Sequence, residues 1–122
     1  MENTRKFIKM HYDILSMQEL TPSDKIIYSL LETYSQSLDC CYISNFTISE
    51  KCGISETTVK RGISKLVKKR LISTWTVRRG AKLCRAVTTN SSIIGNKDKI
   101  NQLKRESHKK ELFDYDWLNE RD

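Results

Sequence analysis

Ten basic side chains crowd residues 57 to 89 of this 122-residue chain: Lys60, Arg61, Lys65, Lys68, Lys69, Arg70, Arg78, Arg79, Lys82 and Arg85. No acidic residue lies among them. The whole chain has 22 basic and 15 acidic residues, so the 12 basic and 15 acidic residues elsewhere carry a net −3 against +10 here. The chemistry such a segment offers is recognition of a dense polyanion. Lys and Arg pair with phosphates or with guanine edges, and interspersed Ser and Thr hydroxyls bond to either. DNA, with one charge per ~1.7 Å of duplex axis, is the commonest partner of that kind. A solvated cationic face is the bland alternative.

Chemistry of this sort needs a rigid element to present it. Ser55 is placed as an N-cap before Val59, Ile63, Leu66 and Val67, whose spacing marks one apolar helical face. At about 100° per residue, Thr57, Arg61, Ser64, Lys65 and Lys68 fall opposite that face, with Thr58 on its flank. Together with Ser55 and Lys60 they form the helical part of the predicted DNA-binding set. Gly62 falls on the core side, where close approach of a neighbouring helix accounts for a residue that costs about 1 kcal/mol in helix propensity.

Upstream, Ser44 opens a shorter helix over residues 45–52, with Phe46, Ile48 and Cys52 expected inward and Gly53 as its C′ residue. Two short helices joined by "CGIS" read as a helix-turn-helix, the first bracing and the second entering the major groove. A plain helical hairpin is the competing reading, and the charge asymmetry between the two helices argues against it. Downstream, Ile72, Trp75 and Val77, then Leu83, Arg85 and Val87, alternate around a turn at Arg79 and Gly80, which predicts a β-hairpin. Such a hairpin is a wing, whose tip residues Arg78, Arg79 and Lys82 complete the predicted set.

Thr21, Pro22, Ser23 and Asp24 predict a helix start, followed by Ile26, Ile27, Leu30, Leu31 and Tyr34 along one face. "CCYI" is short and apolar enough to add a third strand beside the wing. Residues 7–10 are expected to be extended and packed on the core. The fold class this implies is mainly α with a small β-hairpin wing (α+β): a winged helix-turn-helix over residues 1–90, then a C-terminal extension.

The stretches "LTPSDKIIYSLLETY" and "CYISNFTISEKCGISETTVKRGISKLVKKRLI", with the basic hairpin, resemble the winged helix-turn-helix family of Gram-positive phage, plasmid and mobile-element proteins, including the N-terminal domains of replisome organisers and replication initiators. The resemblance covers roughly residues 7–89. It implies binding to double-stranded rather than single-stranded DNA, with Ser55, Thr57, Thr58 and Arg61 at the contacting start of the recognition helix. It also implies work in DNA replication. Related winged helices act as dimeric transcription regulators, and others bind a protein partner with little DNA affinity, so the fold alone does not fix the role.

Residues 91–107 have few apolar side chains and a Gly95–Asn96 interruption, and read as a linker. Residues 108–122 read as an acidic, aromatic tail or helix in which Leu112, Phe113, Tyr115, Trp117 and Leu118 are candidate anchors. They would either fold back on the domain or dock on a replication protein such as a polymerase, primase or helicase loader. Cys40, Cys41, Cys52 and Cys84, with His11 and His108, lack zinc spacing, so no metal and no cofactor is expected and the thiols read as reduced and buried or half-buried. With no signal peptide or transmembrane run, a cytoplasmic protein is expected. No catalytic constellation is present and an enzyme is not expected.

Overall fold

The computed structural model describes residues 7–35 and 38–109. Five helices and three strands follow in the order α1 (Tyr12–Leu15), α2 (Pro22–Ser35), β1 (Cys41–Tyr42), α3 (Asn45–Cys52), α4 (Glu56–Lys68), β2 (Ser73–Arg79), β3 (Lys82–Thr88) and α5 (Lys97–Lys109). Each central helix starts where the local chemistry directs. At α2, Thr21 and Asp24 exchange bonds: the Thr21 N–H donates to Asp24 Oδ2 at 2.9 Å and the Asp24 N–H to Thr21 Oγ1 at 3.1 Å. This reciprocal pair satisfies two amides that no helical carbonyl can reach. Ser44 and Ser55 cap α3 and α4 by accepting from the amides of Thr47 and Thr58. Gly53, at φ 69°, turns the chain from α3 into α4.

Helix α4 ends on a Schellman motif, with Arg70 N–H donating to the Val67 carbonyl and Leu71 N–H to that of Leu66, both at 3.0 Å. The left-handed position is Arg70, at φ 61°, where an L side chain is strained by about 1–2 kcal/mol. Arg70→Gly should therefore raise the melting temperature by a few degrees in a calorimetric scan. An unchanged or lower melting temperature would show that contacts of the Arg70 side chain outweigh the strain.

The sheet is antiparallel in the order β1-β3-β2, so "CCYI" does supply a third strand, beside β3. Residues Arg79 and Lys82 pair across the hairpin, leaving Gly80 and Ala81 as its two-residue loop. The turn is thus one residue later than the alternation suggested, because Gly80, at φ 67°, occupies the first loop position.

Two hydrophobic clusters lie on opposite sides of the sheet. Ile27, Leu31, Ile48, Val59, Leu66, Ile72, Val87 and Cys41 belong to the one packed among α2, α3, α4 and the strands. Trp75, Val77, Ala86, Cys40, Ile93 and Leu103 form the other, under α5. Period-2 geometry explains the division, since Val87 and Ala86 are adjacent in β3 and face opposite ways. The chain therefore has an α+β, winged-helix-like fold with a helix behind the sheet.

Several expectations need correcting. Residues 91–107 are not a linker: Asn96 Oδ1 accepts from the Lys99 amide at 3.1 Å to start α5, and Ile93 and Leu103 are buried. Phe46 is 58% exposed rather than inward. Two helical steps set it about 200° from Ile48, so the two cannot share a face. Val67 is 40% exposed at the edge of the α4 core face, which is formed by Val59, Gly62, Ile63 and Leu66. Residues 7–10 join no strand. Phe7 is 74% exposed, and of this segment Met10 packs against the core. The predicted anchors Leu112, Phe113, Tyr115, Trp117 and Leu118 lie outside the described residues.

Candidate nucleic-acid interface

Helix α4 is held by its apolar side against α2 and α3, and Gly62 sets the depth. A Cβ built there would come within 2.7 Å of Ile27 Cδ1 and 3.2 Å of Asp24 Oδ1. The close approach of α2 thus leaves no room for a side chain at that point unless the end of Ile27 shifts. Pressing one side of α4 against α2 leaves the opposite side open, and there Thr57, Arg61, Ser64 and Lys68 are all exposed. Lys60 is exposed beside them. Thirteen residues give α4 a length of about 20 Å, and a helix of that size enters a major groove about 12 Å wide.

The hydroxyls at the helix start are engaged locally. Ser55 Oγ accepts from the Thr58 amide at 3.1 Å and lies 2.9 Å from Thr58 Oγ1. Ser55 is exposed and Thr58 half-buried, so both first define the helix start. Glu56, also exposed, is the acidic residue of the first turn.

Of the ten cations in the basic segment, Lys60, Arg61, Lys68, Lys69, Arg70, Arg78 and Lys82 are exposed. The other three are turned to internal partners. Lys65, predicted for the open face, instead lies on the α2 flank: its Nζ is 3.1 Å from Asp24 Oδ2 and donates to the Glu19 carbonyl at 3.4 Å. Arg79, predicted for the wing tip, is half-buried with its guanidinium 4.4 Å from the centre of the Tyr42 ring. Arg85 donates from Nη1 to Asn45 Oδ1 at 2.7 Å and from Nη2 to the Ile43 carbonyl at 2.9 Å. Burial pushes Arg85 below the ordinary arginine range, partly opposed by the nearby Cys41 thiol.

On the wing, Arg78 and Lys82 are exposed on opposite faces of the hairpin, one paired with Leu83 and the other with Arg79. Leu83, expected within the alternating apolar set, is 63% exposed because it lies distal to Arg85 and Val87, past the end of the core. The exposed Lys69 and Arg70 were left out of the predicted set because they follow the helix instead of lying on its face. Their direct succession to Lys68 is the signal that could have added them.

Three of the four thiols are held protonated by burial. Burial raises Cys40 to about 11 and Cys41 to about 12, and it lifts Cys52 as well, so near neutrality these three are protonated and poorly nucleophilic. All four cysteines are free. Among the described residues, no group of three or more His, Cys, Asp and Glu could hold a metal ion, and no helix is long and apolar enough to cross a membrane.

Comparison with known families agrees with this geometry. Residues 18–72 match the model of a family described as a helix-turn-helix domain, a span that runs from before α2 to the residue preceding β2. This part of the chain is thus similar to helix-turn-helix DNA-binding domains, while the wing and α5 lie outside the match. Searches of curated proteins and of solved structures returned no match.

Proposed function

We propose, from this helix-turn-helix, that the protein binds double-stranded DNA with α4 in the major groove and the wing on the adjacent backbone or minor groove. One observation carries the reading: the exposed cations gather on the open side of α4, just past its end and on the wing, and residues 57–89 hold no acidic residue, Glu56 standing just before them at the helix start. The buried side of the same helix is occupied by the core, which leaves one cationic side to face a ligand. The protein acts in this reading as a non-catalytic, cytoplasmic component of mobile-element DNA replication, and the tail of residues 108–122 docks on a polymerase, primase or helicase loader. The resemblance to replication initiators and the acidic, aromatic composition of the tail support that role.

Two arms of one experiment test it. The full chain and a chain ending at residue 109 are titrated against labelled 20-base-pair duplexes at 50 mM salt, and both are used to capture proteins from the native host. Both chains should bind duplex with comparable affinity, and only the full chain should retain a replication protein. Absence of duplex binding at this salt would overturn the DNA reading. Equal capture by the two chains would overturn the role given to the tail.

A further inference from the structure

The two wing arginines with internal partners converge on one short segment. Arg85 reaches it on the sheet face that Val87 shares, bonding the Ile43 carbonyl and Asn45 Oδ1. Arg79 reaches it on the opposite face, stacked on Tyr42. Residues 42–45 end β1 and enter α3, the first helix of the helix-turn-helix. The wing is thus gripped from both faces by the chain that leads into the DNA-reading unit.

The grip falls where the core gives out. Val87 and Ala86 are fully buried, whereas Leu83 and Arg78, nearer the tip, are exposed. A two-stranded hairpin of this kind is marginally stable alone, so its distal half needs another hold. A planar guanidinium suits this task because it can fork between two acceptors or lie against a ring, whereas an ammonium lacks that flat, forked geometry.

We infer that Arg79 and Arg85 are positioning residues that fix the wing relative to α3 and α4, so that Arg78 and Lys82 meet the same duplex as α4. The inference rests on the proposed DNA binding. It assigns two of the ten cations to holding the contact surface in place and not to touching DNA. The benefit is preorganisation: a wing already aimed loses less freedom on binding.

A double-mutant cycle on duplex affinity tests it in the full chain. The wing pair Arg78→Ala/Lys82→Ala should weaken binding roughly tenfold and reduce the salt slope by about 1.8, the value for two phosphates. The pair Arg79→Met/Arg85→Met should weaken binding by a similar factor, and joining the two pairs should add less than twofold, because an unaimed wing has nothing left to lose. If the losses multiply instead, Arg79 and Arg85 contact DNA independently and the inference fails. It fails equally if the methionine pair binds as tightly as the wild type.

Asn45→Ala supplies a second route should the methionine pair not fold. It removes one of the two Arg85 acceptors and keeps every charge, and it should shrink the penalty of the wing-pair change. An unchanged penalty in that background would overturn the inference. A wild-type chain with no duplex affinity would mean instead that the DNA reading itself had failed, and this inference with it.

Discussion

Replacing Thr57, Arg61 and Lys68 together by alanine will lower duplex affinity by about two to nearly four orders of magnitude and leave the melting temperature within a few degrees of wild type. The affinity estimate takes roughly 1–3 kcal/mol for Arg61 at a base edge and about 1 kcal/mol for each of the other two. The stability estimate follows from position. All three residues are exposed on the open side of α4, and alanine is at least as good a helix former as any of them. Calorimetry and fluorescence anisotropy on the same sample separate the two effects. A large fall in melting temperature with affinity intact would make this a structural face.

Gly62→Val gives the opposite signature. A Cβ at this position already meets Ile27 Cδ1 at 2.7 Å and Asp24 Oδ1 at 3.2 Å, and valine adds two methyl groups to the same gap. The end of Ile27 can shift slightly, but Ile27 is fully buried and Asp24 is tied to both Thr21 and Lys65, so the two cannot make room for further methyl groups without breaking other contacts. Overpacking of this kind costs on the order of 3 kcal/mol, or about 10 °C in melting temperature for a chain of this size. Gly62→Ala should be near neutral, because a gain of about 1 kcal/mol in helix propensity offsets a collision that the end of one isoleucine can relieve. A valine variant that melts like the wild type would show that α2 and α4 are not pressed together at this point.

The elements with local signals were legible in the sequence. Thr21 with Asp24, Ser44, Ser55 and Gly53 each act within a few residues of themselves, and each marks a helix end in the structure. The open face of α4 was legible for the same reason: helical periodicity places Arg61, Thr57 and Lys68 together with no knowledge of the rest of the chain. What required distant partners was not legible. Arg85 and Asn45 are 40 residues apart and Lys65 and Glu19 are 46 apart, and nothing near either cation in sequence indicates the connection. Helical angle therefore assigned Lys65, and turn position Arg79, to the binding surface when each has a partner within the fold.

Helix α5 was missed for a different reason. It covers a small sheet face with Ile100 and Leu103, helped by Ile93 from the preceding turn, so its apolar stripe is too thin to outweigh its polar composition. Gly95 and Asn96, read as an interruption, are the left-handed turn and the N-cap from which it starts. The exposure of Phe46 and Leu83 shows a related effect: an apolar residue in a periodic pattern points inward only as far as the core extends beneath it.

The central claim, that the exposed cations of α4 and the wing bind duplex DNA through its phosphates, is tested most directly by duplex affinity as a function of salt. About six phosphate contacts predict a log-log slope near −5, a loss on the order of a thousandfold between 50 and 200 mM salt. A flat response, or no binding at 50 mM, would contradict it.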